Sequence, residues 1–259
     1  MRTYYLNDTY VLNCATAATT KENGSILKDK IDTVFDDIYC EEKNYEKAEQ
    51  KLLKTAVSKV LDKSNLKLND IDLIVSGDLM NQLMTTYYGH KDSKVPIIGI
   101  YSACSTSALG IIVGSNYLVN KNKVLVTTSS HYAAAERQFR YPNEYGLQKK
   151  EVVTTTTSGA GAIILTNKKQ DIKVECYTIG IIKDFDYKDV NDMGSAMSIA
   201  AFDTIKTHFE ETNRSFNDYD YVVTGDLGEL GLKVLKELFY NDGYTDNMNN
   251  LIDCGTMIY

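Results

Sequence analysis

Apolar residues recur along this chain with two spacings, one typical of helices and the other of strands. Between residues 45 and 61 they are four positions apart, with a second row beside the first, in the order Ala48, Leu52, Ala56, Val60 and Leu53, Val57, Leu61. This pattern predicts an amphipathic helix. Residues 73–75 and 221–223 are short apolar or aromatic runs followed closely by Gly-Asp, which predicts buried strands in a parallel arrangement.

Further elements follow from the same patterns. Strands are predicted at residues 95–101, 123–128, 160–166 and 172–182, and helices at residues 105–120, 197–211 and 228–239. We also interpret the apolar end, residues 257–259, as strand-like. Helices that alternate with apolar strands predict an α/β fold in layers.

The chain contains an internal repeat. Residues 69–79 align without a gap with residues 217–227, at an offset of 148, and seven of the eleven positions are identical. The match extends upstream, where Asn65 pairs with Asn213. We therefore predict two duplicated α/β halves, residues 1–182 and 183–259, of which the second is incomplete.

Composition excludes several classes of protein. Lys and Arg total 28 against 35 Asp and Glu, a net charge of -7, which argues against nucleic acid as a partner. No apolar run is long enough to span a membrane. The five cysteines are widely spaced without a CxxC pair, so they predict neither a disulfide framework nor a metal site, and a reducing cytoplasm fits best. No cofactor is predicted.

The segment with the strongest chemical signal contains Cys104. A predicted strand leads into small residues, then Cys104 and Ser105, then an apolar helix. The N–H groups at the start of a helix favour a thiolate or a bound anion, and hydroxyls in the first turn are good capping groups. The alternative is that Cys104 is a small buried apolar residue. We favour the functional interpretation because of the turn and its hydroxyl neighbours.

Several segments carry a resemblance to a known family. They are residues 76–79 (SGDL), 103–107 (ACSTS), 128–131 (TSSH), 135–142 (AERQFRYP), 144–146 (EYG), 192–197 (DMGSAM), 203–206 (DTIK), 224–228 (TGDLG) and 253–255 (DCG). The chain resembles the thiolase and ketoacyl synthase superfamily, and within it the stage V sporulation protein AD family. The resemblance implies a thiolase-like fold. The family continues through a second glycine- and cysteine-rich turn, so we expect its C-terminal part to be missing here.

The resemblance implies a binding function. Members of this family are understood to bind dipicolinate, pyridine-2,6-dicarboxylate, and to act with stage V sporulation membrane proteins that move it into the spore. A flat dianion needs donors at its carboxylates and an apolar slot for its ring. The candidate ligand-binding residues are Cys104, Ser105, His131, Arg137, Arg140, Asp184 and Asp192.

These candidates have structural alternatives. Arg137 and Arg140 could clamp a carboxylate, or form ion pairs with Glu136 or Glu144. Asp184 could bind a protonated ligand edge, although a bare carboxylate repels a dianion. Asp192 is more simply the N-cap of the helix that follows it.

Two other functions stay open from the sequence. The chain could be a Cys-dependent acyltransferase with Cys104 as the acyl carrier, although catalysis also needs a base and oxyanion donors. It could also be a thiolase-like scaffold for a membrane complex. We expect a homodimer that pairs through residues 97–101, and a cytoplasmic location, including a peripheral position at the spore inner membrane.

Overall fold

A computed structural model describes residues 1–20, 22, 24, 26–139, 156–189, 192–245 and 247–258. These residues fall into two compact units, the larger formed by residues 6–139 and 156–175 and the smaller by residues 1–5 and the described part of 176–258. The units do not divide the chain between residues 182 and 183. That boundary refers to the duplicated halves and stays a prediction.

The described residues form eleven strands and seven helices. The strands are β1 (Thr3–Tyr5), β2 (Tyr10–Thr19), β3 (Thr33–Phe35), β4 (Leu73–Asp78), β5 (Ile97–Gly99), β6 (Lys123–Ser130), β7 (Gly159–Thr166), β8 (Ile172–Lys173), β9 (Cys176–Thr178), β10 (Val222–Thr224) and β11 (Leu251–Asp253). The helices are α1 (Tyr45–Lys63), α2 (Met84–Gly89), α3 (Thr106–Tyr117), α4 (Tyr132–Phe139), α5 (Met193–Thr212), α6 (Gly228–Asn241) and α7 (Cys254–Ile258).

One mixed sheet organises the larger unit. Its strands follow the order β3-β2-β7-β6-β4-β5, and β8 also pairs with β2. β4 lies between β6 and β5 and is parallel to both, whereas β7 is antiparallel to its neighbours β2 and β6. All six residues of β4 are buried. The sequence correctly predicts β4 as a buried strand in a parallel arrangement.

Helices cover both faces of this sheet. Side chains alternate along each strand, so neighbouring residues of one strand pack against helices on opposite faces. Ile74 and Leu125 pack in the cluster that contains the buried stripe of α1. Val75 and Val126 point to the opposite face and pack with Ile111 of α3. Each buried side chain of this size contributes about 1.5–3 kcal/mol relative to an exposed one. The larger unit is therefore a three-layer α/β structure.

The smaller unit combines two short sheets with α5 and α6. β1 pairs with β9 in antiparallel fashion, and β10 pairs with β11 in parallel. Its core is aromatic: Phe216 makes edge-on contacts with Phe209 and Phe239, each at a centroid distance of 4.9 Å. The Glu211 carboxylate accepts the backbone N–H groups of Arg2 and Thr3, which holds β1 to α5.

The duplication predicted from the sequence extends to the ends of the helices. α1 begins at residue 45 and α5 at residue 193, again 148 positions apart. The side chain of Asn44 accepts the N–H of Lys47 at the start of α1, and that of Asp192 accepts the N–H of Ser195 at the start of α5. These residues are equivalent at the same offset, so both helices are capped in the same way.

The duplication continues beyond the helices. Asn65 and Asn213 follow the two helices with left-handed φ angles of 52° and 55°, a conformation common at helix C-termini. Strand register is also repeated, since Ile74 pairs with Ile97 and its equivalent Val222 pairs with Leu251. From residues 44 and 192 onward, the two halves therefore have the same helix N-cap position, the same left-handed residue after the helix and the same strand register.

Three predicted elements differ from the structure. Residues 172–182 form two short strands, β8 and β9, which belong to different sheets. β10 is a strand, but Val223 is 55% exposed, so the prediction of a buried strand is wrong there. Residues 257 and 258 of the strand-like end belong to the helix α7, whose residue Thr256 donates its backbone N–H to the Asp253 carboxylate, and residue 259 lies outside the described residues. An apolar run of three residues does not distinguish a strand from a helical turn.

Candidate functional site

Cys104 lies in a tight turn between β5 and α3. A single 3₁₀ turn, Ala103–Ser105, joins the strand to the helix, and Cys104 is exposed there. Ala103 has a φ of +44°, in the left-handed region that non-glycine residues seldom adopt. Such a conformation costs about 1–3 kcal/mol and is concentrated at functional sites. The backbone is thus strained directly before the candidate residue.

The hydroxyls around Cys104 close this turn. Ser105 Oγ donates to the Ser102 carbonyl oxygen at 2.8 Å, and Thr106 Oγ1 donates to the Ala103 carbonyl oxygen at 2.7 Å. Thr106 Oγ1 also accepts the N–H of Ser102 at 3.1 Å. Ser105 makes no side-chain cap at the start of α3. The expectation that these hydroxyls cap the helix is therefore wrong for Ser105, which stabilises the strained turn.

A glycine lets the turn approach the sheet. A Cβ placed on Gly77 of β4 would lie 2.3 Å from the Ile100 carbonyl oxygen and 2.4 Å from Thr106 Cγ2. Real Cβ atoms do not come this close, so a larger residue at position 77 would displace the turn. Gly77 belongs to the SGDL segment and fixes where Cys104 lies relative to β4.

β4, β5 and β6 are parallel, and their carboxyl ends lie at the edge of the sheet from which the Cys104 turn continues. Ligand sites of α/β proteins occur at such an edge. β4 ends at Asp78, which pairs in register with Ser129 of β6. Glu49 of α1 reaches the same edge, and Ser129 Oγ donates to Glu49 Oε1 at 2.8 Å. Glu49, Asp78 and Ser129 are all buried.

Burial changes the charge of these carboxyls. Burial, and then the nearby Asp78 carboxylate, raise the pKa of Glu49 to about 8. Burial also raises the pKa of Asp78 above its ordinary value. Asp78 nevertheless accepts two backbone N–H groups, from Met80 at 2.8 Å and Thr86 at 2.7 Å, which favour its charged form. Near neutral pH, Glu49 therefore holds a proton.

His131 lies directly after β6 and is completely buried. Its Nε2–H donates to the Ile38 carbonyl oxygen at 2.7 Å, and its Nδ1 accepts the N–H of Ala133 at 3.3 Å. Its ring stacks with that of Tyr45 and with that of Tyr132. Both ring nitrogens of His131 are therefore hydrogen-bonded to backbone groups.

The other two histidines have structural surroundings. His90 follows α2, is buried, and places Nε2 3.4 Å from Thr127 Oγ1. Burial, with a contribution from Lys54, lowers the pKa of His90 to about 4, so its ring is neutral. His208 lies on α5, where its two ring nitrogens form hydrogen bonds with the hydroxyls of Thr178 and Tyr219.

The structure places the remaining candidates as follows. Arg137 lies in α4, and Arg140 lies outside the described residues. In the smaller unit, Asp184 is exposed and accepts the N–H of Asp186 at 2.9 Å. Asp192 is buried and caps α5, as its structural interpretation predicts, and it also accepts the hydroxyl of Tyr187 at 2.6 Å.

Sequence reasoning did not select Glu49, Asp78 or Ser129 as site residues. A signal for Glu49 was present, because it occupies a core position of the α1 stripe, four residues before Leu53. A charged residue at such a position indicates a specific buried environment.

The fold and the cysteine turn define a thiolase-like α/β protein. Similar solved structures include OleA from Xanthomonas campestris (10% identity, TM-score 0.66, covering 96% of this chain and 84% of that one). They also include the tetronic acid condensing enzyme AbyA1 (16% identity, TM-score 0.61, 96% and 86% covered). A third is the 3-oxoacyl-[acyl-carrier-protein] synthase III of Aquifex aeolicus VF5 (12%, 0.58, 96% and 88%).

Sequence comparison then identifies the family. The family model "Stage V sporulation protein AD" matches residues 2–259. The chain is also 41% identical over 252 residues to the stage V sporulation protein AD of Bacillus subtilis (strain 168), covering 96% of this chain and 74% of that protein. The chain belongs to the stage V sporulation protein AD family. The family match extends to residue 259, so the family pattern continues to the last residue of this chain.

Proposed function

We propose that this chain binds dipicolinate and supports its uptake into the developing spore. The observation that supports the proposal is the exposed Cys104 turn, in a member of a sporulation family, at the start of α3. Helix N–H groups and the positive end of the helix dipole suit a carboxylate. Arg137 and Arg140 follow β6 in the chain and are the candidate cations for the second carboxylate.

The neutral state of Glu49 suits an anionic ligand at this edge of the sheet. Asp78 accepts two backbone N–H groups, and Glu49 is neutral near pH 7. A neutral Glu49 repels a dianion less than a charged Glu49 would.

We also propose a partnership with stage V sporulation membrane proteins, at a peripheral position on the spore inner membrane. In the described part of the chain, no helix has the length and hydropathy needed to cross a membrane. Contact with the membrane complex would then run through partner proteins.

Acyl transfer is the second candidate. The strained Ala103 directly before an exposed Cys104 favours it, since a nucleophile on a strained turn is well presented. The names of the solved neighbours include a condensing enzyme and an acyl-carrier-protein synthase. Against it, the hydrogen bonds of His131 commit its ring to the backbone, so it is poorly placed as a general base.

Calorimetric titration with dipicolinate, beside an acyl-CoA, distinguishes the two functions. We expect dipicolinate to bind, and isophthalate, which lacks the ring nitrogen, to report what the nitrogen adds. Cys104→Ser should change affinity only modestly, whereas Cys104→Trp should abolish binding. Arg137→Ala or Arg140→Ala should cost about 1.5–3 kcal/mol if that residue holds a carboxylate. An acyl adduct on Cys104 by mass spectrometry, without dipicolinate binding, would overturn the proposal.

A further inference from the structure

The buried acid Glu49 is not explained by packing alone. It is completely buried on α1, and its Oε2 makes no hydrogen bond of normal length with the described residues. Its Oε1 has one donor, the hydroxyl of Ser129. A charged carboxylate buried with so little compensation is costly, whereas a neutral carboxyl is tolerated.

The residues around Glu49 provide little positive charge. Among the described residues, Asp78 from β4 and Glu46 from α1 are the carboxylates that act on it. The strands β2 and β7 and the helix α2, which pack against α1, contain no charged residue. The side chains of α4 beyond residue 135 are not described. Both acidic neighbours oppose ionisation of Glu49.

The segment after β4 links Glu49 to the cysteine turn. The Thr85 hydroxyl donates to Met80 Sδ at 3.0 Å. Its contact with Glu49 favours the charged carboxylate, but burial and the Asp78 carboxylate outweigh this contact, so the pKa of Glu49 is raised. Asp78 holds the backbone N–H groups of Met80 and Thr86 in the same segment. A protonated Glu49 adds no negative charge beside Asp78.

The same segment supports β5. A Cβ on Gly99, the last residue of β5, would lie 2.5 Å from Tyr87 Oη and 2.8 Å from Leu83 Cδ1. These two residues belong to the segment that Asp78 and Thr85 hold. A shift of the segment would therefore displace the end of β5, from which the Cys104 turn continues.

We propose that Glu49 is a positioning residue that carries a proton in the folded protein, and that its ionisation loosens residues 79–87 and with them the Cys104 turn. The effect on ligand affinity rests on the proposed function, but the proton on Glu49 does not. Ionisation would place two carboxylates at one buried edge, and the segment would move to let water reach them.

The sign of the pH dependence follows from the raised pKa. Between the ordinary value of 4.5 and about 8, the folded protein keeps a proton that the unfolded chain releases. Stability should therefore fall as the pH rises through this window and level off above it. In Glu49→Gln, which keeps the shape and cannot ionise, this loss should disappear. Asp62→Asn, at an exposed position of α1, is the matched control and should keep the wild-type slope.

Carboxyl NMR on protein labelled at glutamate tests the proton directly. We expect one resonance that titrates near pH 8 in the wild type and in Asp62→Asn and is absent in Glu49→Gln. Ser129→Ala removes the donor to Oε1 and should move that midpoint upward, which keeps the test decisive if Glu49→Gln folds poorly. A wild-type spectrum in which every glutamate titrates near its ordinary pKa would overturn the proposal.

Hydrogen exchange tests the link to the segment. After correction for intrinsic rates, the amides of Met80 and Thr86 should exchange faster above pH 8 in the wild type and show no such rise in Glu49→Gln. Dipicolinate affinity should fall about tenfold for each pH unit above the midpoint in the wild type only. Absence of dipicolinate binding at every pH would refute the proposed function, while NMR and exchange still decide the role of Glu49. Identical exchange profiles in both proteins would overturn the positioning role.

Discussion

Asn44 and Asp192 perform the same task 148 residues apart, so each serves as a control for the other. We expect Asn44→Ala and Asp192→Ala each to lower the free energy of unfolding by about 1 kcal/mol, because each removes a side chain that accepts a helix N–H. Urea denaturation measures both. If Asp192→Ala reduced dipicolinate affinity without reducing stability, Asp192 would be a ligand residue and not only a cap.

Asp192 also adds a dependence on acid that Asn44 cannot have. Burial acts to raise its pKa, but the hydrogen bonds from Tyr187 and Ser195 outweigh burial, and the pKa lies below the ordinary 3.8. Its stabilisation is therefore present above pH 3.8 and is lost as the pH falls through the folded value. Asp192→Asn should keep a cap and flatten the acid side of a plot of melting temperature against pH.

Site residues were predictable from the sequence where their neighbours in the chain determine their conformation. They were missed where their environment depends on tertiary contacts. Asp192 and the turn at Cys104 follow from the residues on either side of them in the chain. The protonated state of Glu49 depends on Asp78 and Ser129, which lie 29 and 80 positions away in the sequence. The role of Ser105 could not be deduced, because its hydroxyl bonds to the Ser102 carbonyl only in the strained turn.

At the scale of elements, the contact between β4 and the cysteine turn depends on one missing side chain. Gly77→Ala would place a Cβ against backbone at Ile100, which cannot move away as a flexible side chain would. We expect a loss of about 1–3 kcal/mol in unfolding free energy and weaker dipicolinate binding.

Gly161→Ala on β7 is the matched control for this change. Its Cβ would meet only Thr128 Oγ1, at 4.0 Å, an ordinary contact. We expect this variant to be as stable as the wild type or slightly more so, because alanine loses less backbone freedom on folding. Equal stability of the two variants in thermal unfolding would show that the close approach at Gly77 is not important.

Elements with a clear apolar pattern were predicted well, and the boundaries of helices and strands less well. α1, β4, β6 and α3 lie where the apolar pattern places them. α5 begins four residues before its predicted start. Gly194 and Ser195 are not apolar, so the pattern does not include them, but the N-cap Asp192 places them in the first turn of the helix. The helix α7 was missed because the Asp253 carboxylate organises its first turn, and apolarity does not report that contact.

At the scale of the whole molecule, we predict a homodimer that pairs through β5. This strand is at the end of the described sheet, and Tyr87, Tyr88 and Tyr101 near it are each at least half exposed. An open strand edge beside exposed aromatic rings favours association. Light scattering should give the dimer mass for the wild type and the monomer mass for Tyr101→Glu. Tyr240→Glu, at an exposed site on α6, should remain dimeric, and a wild-type monomer at high concentration would contradict the prediction.

The contact between the first residues and α5 sets an order for folding during synthesis. Arg2 bonds to Asp203 across 201 positions, and β1 pairs with β9, so the first strand to leave the ribosome is among the last to find its partners. The larger unit, by contrast, is complete once residue 175 has emerged. Domains generally form as units while the chain is still growing. The nascent chain would therefore hold a folded larger unit between an unpaired N-terminal strand and a C-terminal segment still being translated.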